Sequence, residues 1–102
     1  MTTKPGVSVA GMEPPPLYAM MVVQEVFREA NHEMVVTSVT DGKHSPGSLH
    51  YIGHAFDLRS HHIPQPDLDK IVARCRERLP GSFDVVLESD HIHIEHQPKA
   101  QR

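Results

Sequence analysis

Two short stretches of the chain concentrate side chains that can bind a metal or transfer protons. The first, SLHYIGHAFDL at residues 48–58, contains His50 and Asp57 with Gly53 between them. The second, DHIHIEH at residues 90–96, contains three histidines and two acids. Imidazole and carboxylate groups are ligands that zinc accepts, and catalytic zinc sites typically use three protein ligands and leave one position for water. The two stretches therefore indicate a zinc site.

Alternation along the second stretch indicates which of its side chains share a face. Successive side chains of a strand point to opposite faces. The two isoleucines of HIHIEH should therefore face a core, whereas His91, His93 and Glu95 face the other side. In HAFDLR, Asp57 likewise points away from its apolar neighbours. His50, Asp57 and His93 make a plausible ligand set, although the same histidines could be ordinary polar surface residues.

The motifs resemble those of the zinc D-Ala-D-Ala carboxypeptidase family. Residues 48–58 read S-x-H-x-x-G-x-A-x-D-L, and DHIH follows at residues 90–93. That family includes phage endolysins that cut peptidoglycan stem peptides, and its fold is shared by the hedgehog signalling domain. The resemblance extends over residues 35–95, which is most of the expected domain, and it implies a hedgehog-like zinc peptidase fold.

The resemblance also implies a role for each residue of the motifs. One zinc ion per chain would be bound by His50, Asp57 and His93. Asp90, three positions before the last ligand, would be the general base, and His91 would stabilise the transition state beside the metal. Peptide hydrolysis needs such a carboxylate, because it must take a proton from the metal-bound water and pass it to the leaving amine.

The proposed general base, Asp90, could not face the metal if it belonged to a regular strand. Asp90 and His93 have opposite parity, so their side chains would face opposite sides of the sheet. Asp90 must therefore lie in a turn or a bulge for its carboxylate to reach the metal-bound water. Glu88 is a competing acid, because related hedgehog domains carry their glutamate slightly further upstream.

A second departure concerns recognition of the substrate. The family commonly has an arginine near the segment TSVTDGK, and this chain has none there. Lys43 is the nearest cation, Arg59 is a second candidate, and Ser48 is a further candidate substrate-binding residue. The sequence therefore does not decide whether free D-Ala-D-Ala termini are the substrate, nor whether the enzyme is a carboxypeptidase or an endopeptidase.

The domain organisation follows from the prolines and the turn formers. Residues 1–13 are expected to form a flexible arm, with Met12 linker-like, residues 14–97 a single domain, and residues 98–102 a frayed tail. The remaining histidines are expected at the surface: His32, His44, His54, His61, His62 and His96. The alternatives are a place at the rim of the site for His54 and contact with substrate for His44.

The elements that position the motifs can be read from periodicity. The prolines at 14–16 favour the start of a helix that continues through LYAMMVVQEVFREAN. MVVTSV and HAFDLR predict strands, and LDKIVARCRERL predicts a helix that Asp67 caps or opens and that PG ends. FDVVLES and HIHIEH predict two more strands with a connection near Ser89 and Asp90. This order predicts an α+β domain with two helices and a small, mostly antiparallel sheet.

Composition limits the partners. With 102 residues and a formal net charge of −3, the chain lacks the basic stripe expected of a nucleic-acid binder. The single cysteine, Cys75, excludes an internal disulfide and suits a buried helical thiol. No apolar segment suits a signal peptide or a membrane helix, so we expect no membrane insertion and a protein that is cytoplasmic where it is made. We also expect a monomer.

The leading interpretation is a zinc metallopeptidase that acts on peptidoglycan peptides, is encoded by a phage, and reaches the cell wall after release or as a virion component. The alternative is a catalytically inactive, zinc-stabilised binding or virion-structural module, as hedgehog domains illustrate. A nuclease of the HNH type would need a central asparagine and a basic surface. Asn31 is the only asparagine and belongs to the predicted first helix.

Overall fold

The computed structural model describes residues 1–39 and 54–97 of the chain. Within these residues lie two helices, α1 (Pro14–Glu29) and α2 (Gln65–Arg78), together with five strands. The strands are β1 (Thr2–Thr3), β2 (Val35–Ser38), β3 (Ala55–Arg59), β4 (Phe83–Leu87) and β5 (His91–His96). The predicted α+β class is confirmed. Neither described helix is long and apolar enough to cross a membrane.

The five strands form one mixed sheet in the order β1-β2-β3-β5-β4. β1 runs parallel to β2, whereas the β2–β3, β3–β5 and β4–β5 pairs are antiparallel. Because β3 and β5 are neighbours, Asp57 lies opposite His93, and Arg59 lies opposite His91. The sheet topology therefore joins the end of the first motif to the second motif.

The N-terminal segment is hydrogen-bonded to the edge of the sheet. The backbone N–H of Thr2 donates to the carbonyl of Met34, and that of Lys4 donates to the carbonyl of Val36, both at 2.9 Å. Met12 is only 9% exposed and belongs to the hydrophobic core, so the expectation that it is linker-like is wrong. The sequence did not predict β1, because two residues are too few to display a strand period.

Helix α1 begins at Pro14, as the proline run predicts, because the N–H that proline lacks has no partner in a first helical turn. It ends at Glu29, and Asn31 follows with a φ of 60°. Asparagine tolerates this left-handed conformation better than most residues, which suits the position just after a helix. The buried face of the helix contains Ala19, Met20, Val23, Val26 and Phe27.

Helix α2 buries the stripe that its spacing predicts, namely Leu68, Ile71, Val72 and Cys75. Asp67 lies in the first turn but makes no capping hydrogen bond, and Pro64 occupies the cap position. The Asp67 carboxylate instead lies 2.9 Å from Nε2 of His32. His32 is consequently half-buried, not a freely exposed surface residue.

The two faces of the sheet differ in character. Phe56, Leu58, Ile92 and Ile94 are fully buried in one core with the apolar sides of both helices. The alternating side chains of β3 and β5 point the other way, so Asp57 and His93 lie on the opposite face. Among the described residues, neither helix packs on this second face, which we call the polar face. The fold thus buries one face of each central strand and leaves the other available for chemistry.

Candidate metal centre and active site

Asp57 and His93 are in direct contact on the polar face. They are paired across β3 and β5, and Oδ1 of Asp57 lies 2.8 Å from Nδ1 of His93. Their side chains are 16% and 19% exposed, so solvent screens this contact only partly. Strand alternation predicted the face on which each residue lies, and the neighbouring positions of β3 and β5 bring the two side chains together.

His93 is held between two carboxylates. Its Nε2 lies 2.7 Å from Oε1 of Glu95, while its Nδ1 faces Asp57. The hydrogen bond to Asp57 raises the pKa of His93, the bond to Glu95 adds to the effect, and burial opposes it. The ring is therefore fixed at both nitrogens, with one nitrogen directed at a predicted metal ligand.

The donor types present fit zinc. A carboxylate oxygen and an imidazole nitrogen converge at the contact between Asp57 and His93, and zinc accepts both types. Within residues 1–39 and 54–97, no group of three His, Cys, Asp or Glu side chains is arranged to hold a metal ion. His50, the third predicted ligand, lies outside these residues, as do the predicted substrate-binding residues Ser48 and Lys43. The structure therefore brings together the two predicted ligands that it describes.

His91 lies between the predicted ligand Asp57 and the predicted general base Asp90. Its Nε2 is 3.9 Å from Oδ1 of Asp57, and its Nδ1 is 2.6 Å from Oδ1 of Asp90. It occupies the same face as His93, because the two residues are two positions apart on β5. An imidazole in this place can donate a hydrogen bond to a group that binds beside the metal ligands.

Asp90 lies in the turn that joins β4 to β5, one of the two places, a turn or a bulge, that its expected role as general base requires. The turn is closed by a hydrogen bond of 2.8 Å from the backbone N–H of Glu88 to the carbonyl of His91. Because Asp90 precedes β5, strand alternation does not direct its side chain to the core face. The hydrogen bond from His91 lowers the pKa of Asp90, so its carboxylate is ionised and able to accept a proton at neutral pH.

A cavity of about 360 Å³ on the polar face is lined by three of these residues, Asp57, Asp90 and His91. In residues 1–39 and 54–97, its lining consists of Lys4, Thr37, Asp57, Arg59, His61, Asp90 and His91. Four of these residues were selected from the sequence as ligand, catalytic or substrate-binding residues: Asp57, Arg59, Asp90 and His91. Glu88, the competing acid, is not part of this lining. The geometry therefore favours Asp90 over Glu88 as the acid that a bound substrate would meet.

The cavity also contains residues that sequence reasoning missed. Lys4 follows β1, and its backbone N–H donates to the carbonyl of Val36 on β2. Since β2 separates β1 from β3, the backbone of Lys4 lies about 10 Å from β3, the strand that carries Asp57. His61, expected to be a simple surface residue, lines the cavity from the segment after β3. Lys4 has no sequence signal of its own, because its place in the site depends on the unpredicted pairing of β1.

Among the described residues that line this cavity, Lys4 and Arg59 carry permanent positive charges. In the part of the chain that the structure describes, neither side chain forms an ion pair. Both can therefore attract a negatively charged group of a ligand without first breaking an internal salt bridge. Arg59 was a candidate substrate-binding residue from the sequence, and its place on β3, two positions after Asp57, agrees with that role.

No protein-family model matches the chain, and the searches of curated proteins and of solved structures found no match. The function must therefore be argued from the chemistry of the site and from the two motifs. The relevant geometry is the contact of Asp57 with His93, together with the placement of Asp90 and His91 beside it.

Proposed function

We propose that the chain is a zinc-dependent peptidase that hydrolyses peptide bonds of peptidoglycan stem peptides or cross-links, as phage endolysins do. The observation that carries this proposal is the 2.8 Å contact between Asp57 and His93, which are 36 positions apart and belong to the two different motifs. A hedgehog-like zinc peptidase fold with a mostly antiparallel sheet is part of the same proposal, and the three antiparallel strand pairs support it.

Asp57 and His93 would hold the metal, with His50 as the third ligand. Bound zinc supplies a water of lowered pKa and polarises the carbonyl of the scissile bond. The contact between Asp57 and His93 keeps both donor atoms close together before the metal arrives, so little rearrangement of the two strands is needed. Three protein ligands leave a coordination position for water.

Asp90 would take the proton of the attacking water and deliver it to the leaving amine. Its side chain is 81% exposed at the cavity, which gives it access to a bound peptide. The hydrogen bond from His91 keeps the Asp90 carboxylate in its ionised form, as a general base requires. The doubly protonated form of His91 would keep its Nδ1–H on Asp90 and donate its Nε2–H, on the Asp57 side of the cavity, to the oxyanion that develops on the carbonyl.

Lys4 and Arg59 would bind a carboxylate of the substrate. They line the same cavity as the predicted ligand Asp57 and the predicted base Asp90. Stem peptides carry carboxylates, including a free one at an uncrosslinked terminus, and a planar guanidinium suits a carboxylate well. These two cations offer a replacement for the arginine that the family commonly has near TSVTDGK.

The direct test is digestion of purified peptidoglycan with zinc-loaded protein, with the released fragments identified by mass spectrometry. We expect peptide or amino-acid fragments from the wild type and nearly none from Asp90→Ala. Glu77→Gln is a suitable control, since within the described part of the chain Glu77 pairs only with Arg74, on the exposed side of α2. A wild type that binds zinc but releases no fragment would favour the inactive binding module instead.

A further inference from the structure

We infer that Glu95 is the positioning residue of the metal centre, because it fixes the ring orientation and the tautomer of His93. The inference rests on the zinc site proposed above. Oε1 of Glu95 lies 2.7 Å from Nε2 of His93, on the side of the ring away from Asp57. In the metal-free chain Nδ1–H donates to Asp57. When a metal replaces that proton, a ring that donates its Nε2–H to Glu95 would present the lone pair of Nδ1 to the metal beside Asp57.

Glu95 can reach His93 because of its place in the sheet. The two residues are two positions apart on β5, so their side chains project from the same face. The residue opposite Glu95 on β3 is Ala55, which is fully buried and has only a methyl group. A small neighbour leaves space for the Glu95 carboxylate to lie against the imidazole.

Glu95 is itself fixed by a second hydrogen bond. The side-chain amide of Gln97 donates to Oε2 of Glu95 at 2.6 Å, and the same nitrogen lies 3.0 Å from Oδ2 of Asp84. Both oxygens of the Glu95 carboxylate are therefore engaged, one by His93 and the other by Gln97. A carboxylate held in this way serves to orient its neighbour and is not itself directed at the contact between Asp57 and His93.

The chemical consequence is a stronger metal ligand at His93. Histidines that bind metals usually donate their other ring N–H to a carboxylate, a carbonyl or water, which fixes the tautomer and raises the basicity of the ligand nitrogen. Loss of such a partner typically weakens metal binding by about 10- to 100-fold. Glu95 matches this role by distance, by face and by the nitrogen that it contacts.

The test measures zinc affinity by competition with a chelator at pH 7.5, for the wild type and for Glu95→Ala, Glu95→Gln and Gln97→Ala. We expect Glu95→Ala to bind zinc about 10- to 100-fold more weakly. Glu95→Gln should recover part of this loss, because an amide oxygen can still accept from Nε2–H. Gln97→Ala should weaken binding less than Glu95→Ala does. Glu77→Gln, which removes a distant negative charge, should bind zinc like the wild type.

A spectroscopic measurement separates positioning from general structural support. In the zinc-loaded wild type labelled with ¹⁵N-histidine, His93 should show a protonated Nε2 that exchanges slowly with solvent. In Glu95→Ala this exchange should be fast or the tautomer mixed, and in Glu95→Gln the slow exchange should be partly restored. Gln97→Ala provides a second variant if Glu95→Ala does not fold.

Three results would overturn the inference. If Glu95→Ala binds zinc as tightly as the wild type and shows the same Nε2–H signal, Glu95 does not position His93; if Glu95→Ala does not fold, the same result for both Glu95→Gln and Gln97→Ala leads to this conclusion. If Glu95→Ala and Glu95→Gln both lose zinc completely, Glu95 is a ligand. If the wild type binds no zinc, the proposed zinc site fails as well, which distinguishes this outcome from the other two.

Discussion

Asp90 and His91 are consecutive residues whose side chains meet, with Oδ1 of Asp90 2.6 Å from Nδ1 of His91. The contact forms because Asp90 belongs to the turn and His91 is the first residue of β5. It places an ionised carboxylate and an imidazole together in the cavity that Asp57 also lines. In the peptidase proposed above, proton transfer and stabilisation of an oxyanion would be carried out by these neighbouring side chains at the end of one hairpin.

Asp90→Ala should retain zinc but lose most hydrolysis. General acid–base help typically contributes about 10²–10⁴-fold to the rate, so kcat should fall by a factor in this range. Glu88→Ala is the matched variant, because it removes the competing acid on the other side of the same turn. Steady-state kinetics on a stem peptide, with zinc content measured in parallel, distinguishes the two. An active Asp90→Ala and an inactive Glu88→Ala would identify Glu88 as the base.

Arg59→Ala and Lys4→Ala should raise KM for a peptide that carries a free carboxylate and leave kcat less affected. Hydrogen bonds to charged groups typically contribute about 1.5–3 kcal/mol, so loss of a well-placed Arg59 should raise KM about tenfold or more. Lys4 is more exposed than Arg59 and should contribute less. An amidated version of the same peptide should not distinguish the variants from the wild type. Arg74→Ala on α2 is a control, and an unchanged KM in both cavity variants would exclude the assigned subsite.

Cys75 should be inert towards thiol reagents in the native protein. Its side chain is buried in the core, and burial raises the pKa of the thiol to about 12. Because only the thiolate reacts quickly, native protein at pH 8 should react with Ellman's reagent far more slowly than the denatured chain. One thiol per chain should become reactive in denaturant. Rapid stoichiometric reaction of the native protein would show that α2 does not bury Cys75 as described.

Zinc should stabilise the fold more strongly at pH 7.5 than at pH 5. The pKa of His93 is raised in the metal-free chain, so protons compete with zinc for this side chain already above the ordinary histidine pKa of about 6.5. In the metal-free protein, the stabilisation from this protonated histidine is fully present below about pH 6.5 and is lost as the pH rises through the raised pKa. Both effects widen the stability difference between zinc-loaded and metal-free protein as the pH increases.

The expected size of this difference follows from mass action. A ligand of the folded state alone adds about 2.7 kcal/mol to the free energy of unfolding when its free concentration is a hundredfold above Kd. In a domain of this size, the midpoint temperature Tm should then rise by roughly 10 °C or more. Thermal melts with and without chelator between pH 5 and 8 measure it. A Tm that does not respond to verified zinc removal at pH 7.5 would contradict metal stabilisation.

Much of the fold could be predicted because each element carries its own local signal. The proline run predicted the start of α1, and the stripe from Leu68 to Cys75 predicted the buried side of α2. The isoleucines of HIHIEH predicted which face of β5 packs on the core. The position of Asp90 in a turn could be predicted from the break between FDVVLES and HIHIEH, and its parity on β5 required a turn or a bulge if it is the general base. These features depend on residues close together in the sequence.

Features that depend on distant partners could not be predicted in the same way. β1 is recognised only through its hydrogen bonds to β2, so the place of Lys4 in the cavity was missed. The burial of Met12 likewise depends on the core that the rest of the chain builds. Glu95 was placed on the correct face, but its contact with His93 depends on the small residue opposite it on β3.

The zinc content of purified protein tests the central claim most directly. Elemental analysis of the wild type should give one zinc per chain, because the donor atoms of Asp57 and His93 lie 2.8 Å apart, close enough for one cation to bind both. His93→Ala should lose the metal, and Glu77→Gln should retain it. Absence of zinc from wild-type protein supplied with the metal, or full retention of zinc by His93→Ala, would contradict the metal centre proposed for this chain.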